Sequence, residues 1–410
     1  MPAIENKIAH LALSRIRALK KAAANGSGTD QGEGHTQSTK RVLVREAQFC
    51  DFEQVHALNL RLGQGPDSVA NWRRLWRENP ALVGTKRDAP IGWVLEASHD
   101  VVGFFGSIPL EYEFRGSVLE TAATCRFAVE PAYRAFSHLL VGSFFRQKNV
   151  ELFLNSTATP AAGKMMAALK ASPMPQTDYG TVLFWVLNAR HFTETLLEKL
   201  GVPQKLRRAG SAVGALALGA DQTIRDRTPR ATSSNYRIQP MDVSEIGPEF
   251  DQLWADHAQQ SQQLRAKRSR EILRWHFDPP GNRRKVAVLG CYGGRELVGY
   301  AVVRHEPNIP GKLRRSLIAD LLVRQDNPEV VEQLLAAACR SGRDAGSDVL
   351  EVMGFPDRIR QILWRWKPYV RDYPAHPFFF KVSDRRLHET LLDRRLWYAC
   401  PFDGDATLWP

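Results

Sequence analysis

The residues best suited to chemistry lie in one turn, VEPAYRAFSH at residues 129–138, between a predicted strand and a predicted helix. The first backbone N–H groups of a helix have no partner and carry partial positive charge, so they can bind a phosphate group without special side chains. No acidic residue occurs between Ala132 and Phe145, and Arg134 stands where a phosphate would lie. The turn therefore predicts a site for a phosphorylated ligand.

The segments on either side of this turn must position it. Residues 120–129 alternate between two faces as a strand does, and Pro131 predicts the end of that strand, because proline donates no ladder hydrogen bond and suits the first turn of a helix. Residues 132–149 carry apolar side chains at helical spacing, and residues 150–156 (VELFLNS) are short and apolar, as is typical of a buried strand. The stretch is predicted to fold as strand, helix, strand.

This unit resembles the acyl-CoA-binding unit of the GNAT acetyltransferases, whose usual form is V-x-P-x-[YF]-R-[GR]-x-G-[IV]-G-x-x-L. The residues that match it are Val129, Pro131, Tyr133 and Arg134. Where the family usually has small residues, mostly glycines, this chain has Ala135, Ser137 and Leu139, and the bulky Leu139 is a departure.

The resemblance implies that acetyl-CoA or a related acyl-CoA is the co-substrate. Its pantetheine amides would pair with backbone groups at Phe127, Ala128 and Val129, which a β-bulge would leave unpaired. The residues that would surround its diphosphate are Arg134, Ala135, Phe136, Ser137, His138 and Leu139.

The element order of the first half supports the same resemblance. Residues 41–46 predict a strand, residues 49–62 a helix, and residues 91–116 two strands joined by a turn at His99-Asp100. Strand, helix, three antiparallel strands, helix and parallel strand is the order of the GNAT fold, whose two central strands splay apart and admit the acyl-CoA arm. We expect an α/β protein with a mixed, mostly antiparallel sheet flanked by helices.

The second half of the chain repeats the first. ILRWHFDPPG at residues 272–281 corresponds to WRRLWRENPA at 72–81, and RELVGYAVVRHE at 295–306 corresponds to HDVVGFFGSIPL at 99–110. Such spaced copies indicate duplication, so two tandem GNAT domains are predicted. The expected limits are an N-terminal segment over residues 1–40, a first domain over 41–216, a linker over 217–235 and a second domain over 236–410.

Charge indicates which half binds the cofactor. In the second half the equivalent helix begins DNPEVVEQLL, with Asn327 as N-cap and Pro328 in the first turn. Asp326 and Glu329 would repel a diphosphate placed there. We therefore expect the first half to bind acyl-CoA and the second, a degenerate copy, to shape the acceptor cleft.

Catalytic residues are harder to assign from this sequence. Acetyl transfer needs a deprotonated amine, a polarised thioester carbonyl and a protonated leaving thiolate. The glutamate that serves as base in many GNAT enzymes would fall near Ala123, and residues 159–170 lack the family's usual tyrosine donor. The remaining candidates are Asn155 and Ser156, at the end of the parallel strand, and Tyr179 in a later loop. The alternative for each is a strand-end cap or a solvated side chain.

The ending of the chain also resembles the tails of tandem GNAT proteins of the FemAB and polysaccharide-cluster types. Its Asp403-Gly404-Asp405 sequence is interpreted as a turn, and no metal site is predicted.

The composition limits the compartment and the partners. The five cysteines are scattered without a CxxC spacing, which favours reduced thiols in the cytosol and argues against a zinc site. A net charge of +12 favours an anionic partner, such as CoA phosphates, an acidic sugar, anionic lipid or RNA. Residues 1–23 predict a basic amphipathic helix, which could lie on the inner membrane surface or pack on the protein body. Residues 25–40 predict a flexible linker.

The resulting hypothesis is a cytoplasmic tandem GNAT acetyltransferase that acts on an amine, such as an amino sugar in envelope or exopolysaccharide synthesis. A first alternative is a FemAB-like transferase that takes an aminoacyl group from tRNA to a peptidoglycan precursor. Basic runs at residues 265–270 and 365–371 leave RNA open as a partner, although no RNA-binding motif accompanies them, and DNA is not expected. A second alternative is a catalytically inert scaffold.

Overall fold

Two mixed β-sheets organise the chain in the computed structural model, which describes residues 42–83, 88–231, 235–280, 285–373 and 377–409. The predicted N-terminal helix and linker over residues 1–40 lie outside the described residues. In the described part of the chain, no helix is both long and apolar enough to cross a bilayer.

The strands, in chain order, are β1 (Val42–Glu46), β2 (Gly92–Ala97), β3 (Asp100–Phe114), β4 (Ser117–Val129), β5 (Leu152–Asn155), β6 (Ser172–Pro173), β7 (Thr181–Val186), β8 (Tyr236–Met241), β9 (Arg265–Ala266), β10 (Lys285–Gly293), β11 (Glu296–His305), β12 (Arg315–Val323), β13 (Val349–Val352), β14 (Tyr369–Asp372) and β15 (Phe379–Val382). The α-helices are α1 (Phe52–Arg61), α2 (Val69–Trp76), α3 (Ser137–Phe144), α4 (Pro160–Ala168), α5 (Ala189–Lys199), α6 (Gln204–Ile224), α7 (Pro248–Gln260), α8 (Arg270–Phe277), α9 (Pro328–Asp344), α10 (Asp357–Trp364) and α11 (Arg385–Leu391).

The two sheets contain the same core in the same order. In the first, β1, β2, β3 and β4 are neighbours and antiparallel, and β5 joins β4 in parallel. In the second, β8, β10, β11 and β12 are antiparallel neighbours, and β13 joins β12 in parallel. The duplication read from the sequence is therefore present as two equivalent sheets.

Helices cover both faces of the first sheet. On one face, Leu58 of α1 and Leu75 of α2 belong to an apolar cluster with Phe104. On the other face, Leu140 of α3 and Met166 of α4 belong to a second cluster. These two layers fix where the edges of β4 and β5 lie, and the sheet between them positions the candidate site.

The sheets exchange one strand each. β7 precedes the predicted linker in sequence but lies in the second sheet, between β13 and β14. β15 lies near the end of the chain but belongs to the first sheet, between β5 and β6. The predicted limits at 216 and 236 are therefore not limits of the sheets. The sequence could not show this exchange, because short apolar strands such as these carry no local sign of the sheet they join.

The predicted linker needs a correction. Residues 217–224 form the last two turns of α6, not an irregular segment. Gly214 of α6 faces Thr193 of α5, where a β-carbon would collide with the threonine side chain, so the two helices pack closely. Only Ser211 is buried along α6.

Several local signals are placed as predicted. Pro160 lies in the first turn of α4, where Thr159 Oγ1 accepts a hydrogen bond from Ala162 N. Gly201 follows α5 with a φ of 77°, the left-handed conformation that favours glycine after a helix. Asn327 caps α9 through a bond from Glu329 N to its Oδ1, with Pro328 in the first turn.

A buried ion cluster ties the two sheets to the C-terminal segment. The fully buried Arg268 lies between β9 and α8, and its Nε is 3.0 Å from Asp320 Oδ1 of β12. Its Nη2 is 3.6 Å from Asp403 Oδ2, while Tyr112 Oη of β3 donates to Asp403 Oδ1 at 3.0 Å. The end of the chain is thereby held against both sheets.

Candidate active site

The parallel pair β4 and β5 separates early. Only Thr121, Ala122 and Ala123 of β4 pair with β5, and β4 then continues to Val129 without β5 beside it. The two strands therefore diverge into a gap on that side of β4.

A β-bulge lies in β4 at the gap. The pairing with β3 passes from Phe105–Phe127 to Gly106–Cys125, so Arg126 is the extra residue, and its φ is 46°. Gly106 is required opposite it, because a β-carbon there would lie 2.9 Å from the carbonyl oxygen of Cys125. The bulge was expected at Phe127 to Val129 and is centred instead at Arg126, just before them.

A cavity of about 820 Å³ opens in this gap, within the size range of ligand pockets. Its wall is formed by residues 124–127 of β4, the loop at 64–68, the start of α4, and Asp405, Ala406 and Trp409 of the C-terminal segment. Of the predicted pantetheine-binding residues, Phe127 lines the cavity, and its carbonyl oxygen accepts a hydrogen bond from Gln64 Nε2 at 2.6 Å. Ala128 and Val129 lie beyond it along β4.

Arg126 joins three parts of the wall. Its Nη1 donates to the carbonyl oxygen of Gln64, and its guanidinium lies over the Trp409 ring, 4.1 Å from the centroid. Burial lowers the pKa of Arg126, and the nearby Asp67 opposes that change. The bulge residue thus holds the loop at 64–68 and the C-terminal segment against β4.

The cavity contains one buried carboxylate that sequence reasoning missed. Asp405 is 5% exposed, and its Oδ1 accepts hydrogen bonds from Ser156 Oγ at 3.1 Å and Thr157 Oγ1 at 2.9 Å. Burial raises the pKa of Asp405, and the hydrogen bonds from Thr157, Ser156 and Trp409 oppose the rise. A buried carboxylate with a raised pKa is a stronger base than an ordinary carboxylate, which suits it to general-base catalysis.

Asp405 was interpreted only as part of a turn. The turn is present, with Gly404 at a φ of 79°, and a β-carbon on Gly404 would lie 2.8 Å from Ser156 Cβ. The glycine therefore lets the turn approach the end of β5. No local sequence signal indicates that approach, because Asp405 and Ser156 are 249 residues apart.

The predicted catalytic residues are placed differently. Asn155 lines the cavity and its Oδ1 accepts from Thr157 N at 3.3 Å, whereas Ser156 contacts Asp405. Tyr179 is not in this cavity. It is buried with its Oη donating to Cys400 O at 3.3 Å, and burial raises its pKa.

The predicted phosphate turn begins as a 3-10 helix, Pro131–Phe136, and becomes α-helical only at Ser137. Residues 132–149 were expected to form a helix, and their α-helical part is shorter, Ser137–Phe144. Ser137 is buried, and His138 Nδ1 lies 2.9 Å from Ala135 O. The exposed residues of the turn include Arg134, Ala135, Phe136, His138 and Leu139. Leu139 is 37% exposed and does not line the cavity.

The corresponding gap in the second sheet is occupied by the chain itself. β12 and β13 pair over Arg315, Ser316 and Leu317 and then diverge. Tyr398 Oη donates to Leu321 O of β12, and Phe355 N, just after β13, donates to Ala399 O at 2.6 Å. Residues 398–400 therefore fill the position that stays open in the first sheet.

A second cavity of about 420 Å³ adjoins the first, and Thr157 and Ala406 line both. Its other wall is one face of the second sheet and includes Arg304, Arg371 and Glu351. Among the described residues, no group of three His, Cys, Asp or Glu side chains could hold a metal ion. The candidate site consists of these two adjoining cavities, with Asp405 near their junction.

Comparison with known proteins identifies the fold. A GCN5-related N-acetyltransferase from Anabaena variabilis matches with a TM-score of 0.55 and 10% identity, over 84% of this chain and 73% of that one. One from Kribbella flavida matches with a TM-score of 0.52 and 11% identity, over 85% and 73%. Saccharomyces cerevisiae N-myristoyltransferase with bound myristoyl-CoA matches with a TM-score of 0.50 and 12% identity, over 87% and 84%.

No protein-family model matches the sequence, and no curated protein is similar to it in sequence. The structural matches, at these identities, bear on the fold alone. The chain has the fold of the GCN5-related acetyltransferases, which confirms the predicted α/β class with two mixed sheets flanked by helices.

Proposed function

We propose that this chain, which has the GNAT fold, transfers an acyl group from acyl-CoA to an amine. The observation that carries the proposal is the gap between β4 and β5, which opens into a cavity containing the buried carboxylate of Asp405. Acyl transfer from a thioester needs space for the narrow acyl-CoA arm and a proton acceptor in the same cavity.

The acyl-CoA arm would enter along the open side of β4. Backbone groups of Phe127, Ala128 and Val129 would pair with its amides, and Gln64, which now donates to Phe127 O, would turn away. The diphosphate would lie at the exposed turn that carries Arg134. Glu130, the nearest acid before the turn, is paired with Arg61 at 2.7 Å, so it adds little repulsion.

The chemistry would run through Asp405. The amine nitrogen attacks the thioester carbon, the carbon–sulfur bond breaks, and the amine proton passes to Asp405 and from there, through water, to the CoA thiolate. Ser156 and Thr157 hold the carboxylate by donating to Oδ1. Asn155 offers a further polar group in the same wall, and Tyr179 lines the adjoining cavity, where the acceptor would enter.

Acetyl-CoA as the donor and an amino sugar of envelope or exopolysaccharide synthesis as the acceptor remain proposals that derive from the sequence resemblance. The FemAB-like alternative needs no CoA, and the scaffold alternative needs no turnover. Measuring CoA binding and acetyl-CoA turnover with a panel of amines therefore separates all three.

A CoA titration tests the cofactor site directly. Arg134→Glu is expected to weaken CoA binding by about 10- to 100-fold, because it replaces a charge-assisted contact to the diphosphate with repulsion. Isothermal titration calorimetry of CoA into the wild type and the variant measures the change.

The matched control for this titration is Arg146→Glu. Arg146 is also exposed and lies just beyond the other end of α3, where its Nη2 donates to Ser143 Oγ at 2.9 Å. Arg146→Glu makes the same charge change away from the turn, so its CoA affinity should stay within about twofold of wild type. Equal affinity of all three proteins would remove the turn as the diphosphate site.

A further inference from the structure

The second cavity borders the two residues that hold Asp405. Thr157, whose Oγ1 donates to Asp405, lines both cavities, and Ser156, the other donor to Asp405, lines the second. A molecule in the second cavity can therefore bring an amine close to the two residues that hold this carboxylate.

The charged groups of this cavity are arranged on neighbouring strands of the second sheet. They are Arg304 and Glu306 at the end of β11, Arg315 of β12, Glu351 of β13 and Arg371 of β14. The other described residues of the lining, such as Leu317, Met353 and Tyr373, are uncharged.

Positive charge is in excess. Arg304 is matched by Glu306, with Nη2 2.9 Å from Oε1. Glu351 is shared by two guanidiniums, with Arg371 Nη2 2.9 Å from Oε2 and Arg315 Nη1 3.3 Å from Oε1. Among the lining residues that the structure describes, three arginines against two glutamates leave one positive charge.

The excess is accessible to a ligand. The side chains of Arg315 and Arg371 are 34% and 28% exposed, whereas that of Glu351 is only 11% exposed. The planar guanidinium forks of arginine match the two oxygens of a carboxylate or phosphate. At the other end of the cavity lie Ser156 and Thr157, whose hydroxyl groups donate to the carboxylate of Asp405.

We propose that this cavity binds the acceptor, and that the acceptor is a small molecule with both an amine and an anionic group, a carboxylate or a phosphate. The anionic group contacts Arg371 and Arg315, and the amine lies toward Asp405. This inference rests on the proposed acyltransferase function and names the chemical class of its acceptor.

Paired acceptors test the proposal. Glucosamine is compared with its 6-phosphate and with its 6-carboxylate, 2-amino-2-deoxyglucuronic acid, so the two anionic arms separate phosphate from carboxylate. The anionic members are expected to have a kcat/KM at least about 10-fold above glucosamine, and Arg371→Gln should remove that preference. A preference for glucosamine would overturn the proposal. So would a preference for the anionic sugars that persists unchanged in Arg371→Gln.

A binding measurement covers the case in which none of these sugars is turned over. Inorganic phosphate and acetate are titrated into the CoA-loaded protein by calorimetry, and saturable binding to one of them is expected. Arg371→Gln should weaken that binding by about 10-fold or more, and Glu351→Gln, which releases two arginines, should strengthen it. Opposite shifts cannot come from general unfolding.

The outcomes also separate this inference from the function on which it rests. If the wild type fails to bind CoA, the acyltransferase proposal fails. If CoA binds normally and neither anion binds saturably at a position sensitive to Arg371 and Glu351, only the acceptor class is wrong.

Discussion

Replacing Asp405 with asparagine is expected to lower kcat/KM for acyl transfer by roughly 100- to 10,000-fold, the usual contribution of a positioned general base. Asparagine has nearly the same shape and can still accept hydrogen bonds from Ser156 and Thr157, but it cannot take the amine proton. CoA affinity should therefore change little. Steady-state kinetics combined with a CoA titration checks both parts.

The pH dependence gives this prediction a second readout. A base acts only when deprotonated, so the rate rises with pH through the pKa of Asp405. Because burial raises that pKa, the acidic limb of the wild-type profile should lie above the ordinary carboxyl range, and Asp405→Asn should lack this limb.

Asp67 offers a matched control within the same cavity. Its Oδ1 accepts hydrogen bonds from Ser68 N and Asn71 Nδ2, both at 2.8 Å, whereas Ser156 and Thr157 donate to Asp405. Asp67→Asn should retain the acidic limb. If Asp67→Asn abolishes transfer while Asp405→Asn does not, the proton acceptor has been assigned to the wrong carboxylate.

Removing the charge of Arg268 is expected to cause a large loss of stability. Arg268→Met should lower the free energy of unfolding by about 3–5 kcal/mol, because it leaves buried acids without their cation. Asp320 and Asp403 both contact this guanidinium, and all three residues are buried. Urea denaturation of the variant beside the wild type measures the loss.

An exposed arginine nearby serves as the control. Arg270 pairs with Asp251 at 3.2 Å, and its side chain is 50% exposed. Arg270→Met should cost less than about 1 kcal/mol, as exposed ion pairs do. Adding Asp403→Asn to Arg268→Met should recover part of the loss. Equal destabilisation by Arg268→Met and Arg270→Met would contradict the buried-charge argument.

Local patterns predicted the elements of this chain well. Alternation in residues 120–129, the proline at 131 and the apolar run at 150–156 correspond to β4, the turn and β5. Asn327 and Gly201 also have the helix-end roles expected of them, since capping depends on a few adjacent residues. These signals are short in range, and so are the interactions behind them.

Contacts between distant segments could not be predicted in the same way. The sequence places no carboxylate on the expected face of β4, and Asp405 reaches the cavity only because the C-terminal segment folds back over β5. β7 and β15 are both short and apolar, so each fits either sheet as far as its own residues indicate. Only the packing of the complete chain decides between them.

The exchange of β7 and β15 has a consequence for how this protein could be divided. A fragment ending near residue 216 would keep the phosphate turn but lose β15, leaving the edge of β5 bare, and it would also lose Asp405. The first sheet therefore depends on the far end of the polypeptide for one of its strands, and the proposed site depends on it for its buried carboxylate. An engineered single-copy version would need a replacement for both the strand and the carboxylate.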